Sequence, residues 1–433
     1  ATVTFIALWL RMTKRVGPAS SPLTLLLLSM SFLIITLIIL RRGMRNQQAA
    51  RWSAWKLNLI FVIVCILSLL TFWNLDLNAK NQLGHLRARA GSVMAATFPS
   101  RIPDSQNAAR VYEHAFESLE MTKSRTIITW AIPVCKWLNS PQGSTSPDRP
   151  DDAQIREILK TNSRGLNQLR RAAQMPHCSF VGASELTELP DALYTKISSI
   201  HTGAELLAAS ARVQAMDGNI PEAFADINGL FAMSEHITRE PTVNTALVAI
   251  AVEIRAAKTL ETVLARGGAS AKELSLLNIE PLFSHDRTVR SALRGEEVMG
   301  LSVLASLGDP GQHPLQAKHF PEILLPLYRV FLLEEEIRCG NAAVQEWRRL
   351  ANMPYHLSRE QWLTFPERLL KHQTGFLIME KLHSISKYPG RAAEGDAFHS
   401  LARLAVAVTS FRLKTGAPPK NLDDLVPTFI ETI

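Results

Sequence analysis

Two long runs without a single charge constrain this chain more than any other feature. Leu23–Leu40 reads LTLLLLSMSFLIITLIIL, 18 residues, and Leu57–Leu75 reads LNLIFVIVCILSLLTFWNL, 19 residues. About 20 apolar residues let an α-helix cross a hydrocarbon core ~30 Å thick. Helices buried in a soluble core are usually shorter and keep a polar face. Leu23–Leu40 is too long, and too deep in the chain, for the apolar part of a secretory signal peptide, and a second run follows it. Trp52, Trp55 and Trp73 flank the second run as an interfacial aromatic belt would. The expectation is a hairpin of two membrane helices within residues 1–75.

The charges have a location too. Arg11, Lys14, Arg15, Arg41, Arg42, Arg45, Arg51 and Lys56 fall within residues 1–75, which hold no acid. They account for the whole formal net charge of +8, so residues 76–433 are neutral in sum. A nucleic-acid-binding domain needs a basic patch on its folded part, so nucleic acid is not expected as a partner. The loop Arg41–Lys56 carries five basic residues in 16 and favours the cytoplasmic side. The large C-terminal part then lies outside. Arg11, Lys14 and Arg15 before the first run, with Lys80, Arg87 and Arg89 after the second, weigh against that orientation.

After Leu75 the sequence turns polar, and residues 76–103 read as a helical stalk and linker ending at Pro99 and Pro103. Residues 104–433 read as one α-helical domain. Asp104 or Ser105 can cap a helix whose apolar positions are Ala108, Val111, Tyr112, Ala115, Phe116 and Leu119, the 3.6-residue period. A loop over Asn139–Asp152 precedes a helix from about Asp151, with Ile155, Ile158, Leu159, Leu166 and Leu169 on one face. Three long helices follow, broken at Asp217-Gly218-Asn219, Glu240-Pro241 and Gly267-Gly268. Breaks this short make neighbours antiparallel. Further helices are expected over roughly Thr288–Leu307, Leu325–Leu350, Ser358–Lys387 and Glu394–Lys414. No run shows sustained period-2 alternation. The fold class is all-α: a two-span hairpin, then a large solenoid-like or irregular array of antiparallel helices.

Candidate chemistry is thin. Cys65 lies in the second run, and Cys135, Cys178 and Cys339 in the domain, with no CxxC spacing to suggest zinc. Outside the cytoplasm Cys135–Cys178 is a candidate bridge; unpaired buried thiols are the alternative. Glu380 and His383 have the Glu-x-x-His spacing of di-iron bundles, but no second such pair exists, and a solvated face is expected. Glu334, Glu335 and Glu336 form a carboxylate cluster whose consecutive members cannot face one cleft, and an exposed surface is expected. His285-Asp286, His313 and His319 fall at loops. No HExxH, GxSxG, GxxxxGK[ST] or GxGxxG occurs. No catalytic, cofactor-binding or metal-binding residue is assigned, and no cofactor is expected.

The stretch DGNIPEAFADINGLFAM resembles the turn and second helix of a tetratricopeptide unit, with Gly218, Ala223 and Ala225 at crowded positions, but no 34-residue echo of it exists. The ending is more distinctive. FHSLARLAVAVTSFRLKTG followed by APPKNLDDLVP resembles a module of uncharacterised membrane-anchored helical proteins of planctomycete-type bacteria, and is similar to pseudopilin C-terminal regions. IPDSQNAARVYEHAF and GNIPEAFADINGLFAMSEHITREPTVNTALVAIAV resemble the same class. The closing module, residues 394–430, is readable physically. Gly416 stops the helix, Pro418 and Pro419 fix the exit, and Asn421 caps one turn whose Leu422 and Leu425 fold back on Ala405, Val408 and Phe411. The resemblance implies a multi-pass protein of a bacterial inner membrane with a periplasmic helical domain. It carries no catalytic residues. The expected partners are the lipid bilayer and other membrane protein subunits, packed on the small and polar residues Ser29, Ser31, Thr36, Ser68 and Thr71 of the spans. The alternatives are spans that pack only on each other, and a membrane-tethered enzyme with a site in a helical cleft.

Overall fold

A computed structural model describes residues 50–98, 102–119, 127–140, 150–180, 189–279, 285–306, 325–372 and 376–430. Among them are fourteen α-helices and no strand, so the chain is all-α. The described residues divide into two compact units. One takes in those up to residue 89 with 301–340, and the other takes in residues 90–300 with 341–433.

Helix α1, Ala50–Thr97, is one unbroken helix of 48 residues. At ~1.5 Å per residue it is about 70 Å long. It joins the second apolar run to the expected stalk without interruption. Ala79, Leu83 and Leu86 are buried on one stripe of it, while Leu67, Leu69, Leu70 and Trp73 are exposed. Among the described residues no helix is long and apolar enough to cross a membrane. Leu23–Leu40, and the side chains of most of residues 57–64, lie outside them. The same unit contains α11, Leu325–Phe331, which Arg329 ties to Asp76 of α1 through an ion pair of 2.8 Å.

The second unit is built from antiparallel neighbours. Asn107, rather than Asp104 or Ser105, caps α2 (Ala108–Ser118), its side chain accepting the Ala109 N–H at 3.1 Å. Tyr112, Ala115 and Phe116 of α2 are buried on the expected stripe. Helix α3 is Ile132–Asn139. Asp151 caps α4 (Asp152–Thr161), and α5 (Ser163–Ala173) packs on α2. The three long helices appear as α6 (Leu189–Met216), α7 (Ile220–Thr238) and α8 (Val243–Arg266), mutually packed. Their breaks are the ones expected. Gly218 and Gly267 sit at φ 80° and 77°, where a side chain is strained. Of the three residues expected to be crowded by the tetratricopeptide resemblance, only Ala223 is buried. Ala225 is exposed, and a methyl group at Gly218 would meet nothing within 4 Å.

Helix α9 is Ala271–Leu274, and α10 runs His285–Ser306. The expected helix over Leu325–Leu350 is two, α11 and α12 (Leu333–Ala351). Helix α13 is Tyr355–His372, and α14, Phe376–Thr415, runs 40 residues without stopping. The expected helices Ser358–Lys387 and Glu394–Lys414 left residues 388–393 between them, and α14 runs through those residues without a break. Pro389 lies inside the helix, and fully buried Tyr388 anchors it in a core with Trp347, Trp362 and Phe365. Burial on that scale offsets the ~3 kcal/mol that an interior proline costs a helix.

The closing module docks as one leucine rather than two. Gly416 has φ 80°, and Asn421 caps the single 3-10 turn Leu422–Leu425, its side chain accepting the Asp424 N–H. Leu425 is fully buried with Ala407, Ile430, Val408, Phe411 and Phe429, whereas Leu422 is 45% exposed. Three residues apart on a 3-10 turn should share a face, yet the cluster is filled by Phe429 and Ile430 coming back from beyond the turn. Leu425→Ala is therefore expected to cost about 3 kcal/mol and Leu422→Ala under ~0.5 kcal/mol. Hydrogen exchange of the last turns of α14 checks this, and equal effects from both variants would show the docking to be misread.

Candidate functional site

The residues singled out from sequence do not come together. Glu334 is exposed, Glu335 pairs with Arg338 on the surface, and Glu336 is buried, accepting the Tyr328 hydroxyl at 2.8 Å. The expected solvated face therefore fails at Glu336, because successive helical positions point ~100° apart and the third turns inward. Burial and the Glu336 carboxylate together push the Tyr328 hydroxyl pKa well up. Glu380 and His383 lie on α14, and His285 and Asp286 open α10; their side chains are outside the described set. So are His313 and His319. Cys135 and Cys178 carry free thiols, so the bridge between them is not formed. Cys178 is fully buried, and burial raises its thiol pKa, as for an inert core residue.

What the structure gathers instead is a set of buried polar contacts between α-helices far apart in sequence. The nearest to a site is a carboxylate–imidazole pair. His399 of α14 and Glu253 of α8 meet with Nδ1 2.7 Å from Oε1, their side chains 8% and 3% exposed. Phe231 packs edge-on to the imidazole at 6.0 Å. Nε2 is buried and has no hydrogen-bond partner among the described residues. A carboxylate fixing Nδ1 is how enzymes orient a general base or a metal ligand. Among the described residues no hydroxyl, thiol or third titratable side chain is hydrogen-bonded to Nε2. Among the described residues, no group of three or more His, Cys, Asp and Glu is arranged to hold a metal ion.

Other buried charged groups find partners on distant helices. Arg170 forks onto Asp226, Nε to Oδ1 at 2.6 Å and Nη2 to Oδ2 at 2.9 Å, with Ser210 Oγ also accepting from Nη2 at 2.9 Å. Asp226 is fully buried. Glu240, at the corner between α7 and α8, accepts the Phe180 N–H at 2.6 Å and the Ser179 hydroxyl at 3.1 Å. One residue pair further, Glu296 of α10 accepts the Val243 N–H at 3.1 Å and so places a carboxylate on the N-terminus of α8. Glu205 pairs with Arg255 at 2.9 Å, and Arg255 reaches Asn139 at 3.0 Å.

His236 of α7 is held between Tyr112, whose hydroxyl is 3.1 Å from Nδ1, and the Met175 carbonyl, 2.9 Å from Nε2. Nε2–H donating to the carbonyl and Nδ1 accepting from Tyr112 satisfies a neutral ring. Burial lowers its pKa to about 4; the Met175 hydrogen bond opposes that shift, Arg239 and His177 add to it, and Glu235 works against it. The unfolded chain titrates near ~6.5. Below that pH the unfolded chain takes a proton that the folded one refuses. Stability is then full above ~6.5, falls as the pH drops, and levels off below about 4, a swing of about 3 kcal/mol. Urea midpoints between pH 7.5 and pH 4, as outer settings on the order of this window, should show the swing in the natural chain and lose much of it in His236→Gln. An undiminished swing in the variant would assign it to other groups.

None of these pairs was legible as a motif. Glu253 sits in the largely apolar run ALVAIAVEIRAA and His399 in AFHSLARLA, each with an arginine close by, and a polar residue inside an apolar stretch was the available signal. No protein-family model matches this chain, and no curated protein or solved structure matches it either.

Proposed function

We propose that this chain is a membrane-anchored structural or accessory subunit of a larger membrane protein complex. Two spans, Leu23–Leu40 and Leu57–Leu75, hold it in a bacterial inner membrane. The helical domain lies on the outer face and contacts partner subunits. The observation that carries this reading is the apolar end of α1. Leu59, Val62, Ile63, Ile66, Leu67, Leu69, Leu70, Trp73 and Leu77 are all between 43% and 68% exposed on one continuous helix. An exposed apolar surface of this kind is expected only where lipid or another protein covers it. The polar contacts in the second unit support a structural role, since most bind helix to helix rather than converge on an opening.

The reading has two tests. Cysteines introduced as Ser53→Cys and Ser144→Cys are probed in intact cells with an impermeant reagent: labelling of the second and not the first is expected, and equal labelling would remove the two-span anchor. Extraction in a mild detergent should give a particle larger than the 48.1 kDa chain. Elution as a lone chain, under conditions that preserve other native complexes, would remove the subunit reading. It would favour a membrane-tethered enzyme instead, for which the Glu253–His399 pair is the starting point.

A further inference from the structure

We propose that α11 forms a second membrane contact, lying at the headgroup level beside the point where the apolar part of α1 ends. The inference rests on the membrane reading of Leu57–Leu75. It comes from a reversal of the pattern that water imposes on a helix. Leu327 is 42% exposed. Val330 and Phe331, three and four residues on, share its face and are half-buried. The polar members of the helix point the other way: Tyr328 and Arg329 are 4% and 6% exposed. Arginine is almost never buried unless paired, and in a short helix facing water it would be the apolar face that turned inward.

The pairing of Arg329 gives the location. Its Nε donates to Asp76 Oδ1 at 2.8 Å, and Asp76 is the residue after Leu75, where the uncharged run stops. The ion pair thus holds α11 at one level along α1. Leu77 and Trp73, within one turn of Asp76, are 43% and 67% exposed and continue the apolar surface. Lys80, which also reaches Asp76 at 2.9 Å and is 47% exposed, stands one turn beyond, where lipid phosphates would be. Exposed Glu334 marks the far edge of the apolar patch. An amphipathic segment with this arrangement lies in the interface plane with its apolar face about 5–10 Å into the headgroup–acyl boundary. The occupant of the Leu327–Val330–Phe331 face is therefore the bilayer.

The full chain, carrying a genetically encoded fluorescent amino acid at position 327, 67 or 276, is reconstituted into phosphatidylcholine–phosphatidylglycerol vesicles. The lipids are brominated either near the carbonyl or deep in the acyl chain. Leu276, an exposed leucine of the second unit, is the control. Circular dichroism identical to that of the natural chain establishes the fold of each variant. The expected result is marked loss of fluorescence at 327 with the shallow bromine, at 67 with the deep one, and at 276 with neither. Loss at 67 with none at 327 would overturn the interfacial contact and leave the span intact. Loss at neither would overturn both. A label at 327 shielded from lipid bromine and from aqueous iodide alike would mean that protein, such as a second copy of the chain, covers the face, and would also overturn the proposal.

Discussion

Gly295→Ala is expected to destabilise the helical domain by about 3 kcal/mol or more, well above an average substitution. A methyl group on Gly295 would collide with the Pro241 carbonyl oxygen. That atom is backbone, fixed by the corner between α7 and α8, and has nowhere to go. The corner is held on both sides. The Thr242 hydroxyl and the Thr245 N–H close a cap on α8, and Glu296, the next residue on α10, accepts the Val243 N–H. Relief of the clash would have to part α10 from the start of α8 and break the hydrogen bond that the Val243 N–H donates to Glu296. Gly300→Ala on the same helix is the control, because nothing lies within 4 Å of its added methyl. There the better helix propensity of alanine should make the change neutral or stabilising by up to ~1 kcal/mol. Urea unfolding in detergent measures both. Equal effects would show that α10 does not approach the corner this closely.

The second large effect is expected at the Arg170–Asp226 fork. Arg170→Met removes the ion pair that Arg170 makes with the fully buried carboxylate of Asp226. Removing one partner of a buried pair typically costs 3–5 kcal/mol, because the remaining charge is stranded. Arg170 is itself a third exposed, so solvent tempers the loss, and about 3 kcal/mol is expected. The double variant Arg170→Met with Asp226→Leu should recover much of it, since a hydrophobic pair of similar volume often replaces a buried ion pair at little cost. A single variant within ~0.5 kcal/mol of the natural chain would mean that Asp226 reaches water or another cation.

The parts of the fold that local chemistry decides were legible. Asp151 and Asn421 cap where side-chain oxygens at those positions must, and Gly218 and Gly267 end helices through a positive φ that other residues resist. The stripe of Ala108, Tyr112, Ala115 and Phe116 follows from its period. What failed was decided by partners distant in sequence. Pro389-Gly390 carries a strong local signal to stop, overridden by the pocket that receives Tyr388. Leu422 and Leu425 have equivalent spacing, and only the return of Phe429 and Ile430 selects between them. Glu253 and His399 are 146 positions apart, and no spacing rule joins them. Glu336 shows the same limit: Glu334 is exposed as a run of acids should be, Glu335 is half-buried, and the Tyr328 hydroxyl that draws Glu336 inward comes from the preceding helix.

Helix α14 has a mechanical consequence. Its early turns supply Leu382, Ile385, Tyr388 and Ala392 to one apolar core, its middle supplies Ala402 to a second, and its end supplies Ala407 to the cluster that receives Leu425. Three separate cores thus share one rigid shaft. A helix cannot slide or rotate at one end while standing still at the other, so a displacement that loosens one core strains the other two. Where each core would otherwise open at its own free-energy cost, the common shaft makes them yield as a single cooperative block. A domain built this way resists piecemeal fraying and suits a load borne along its length.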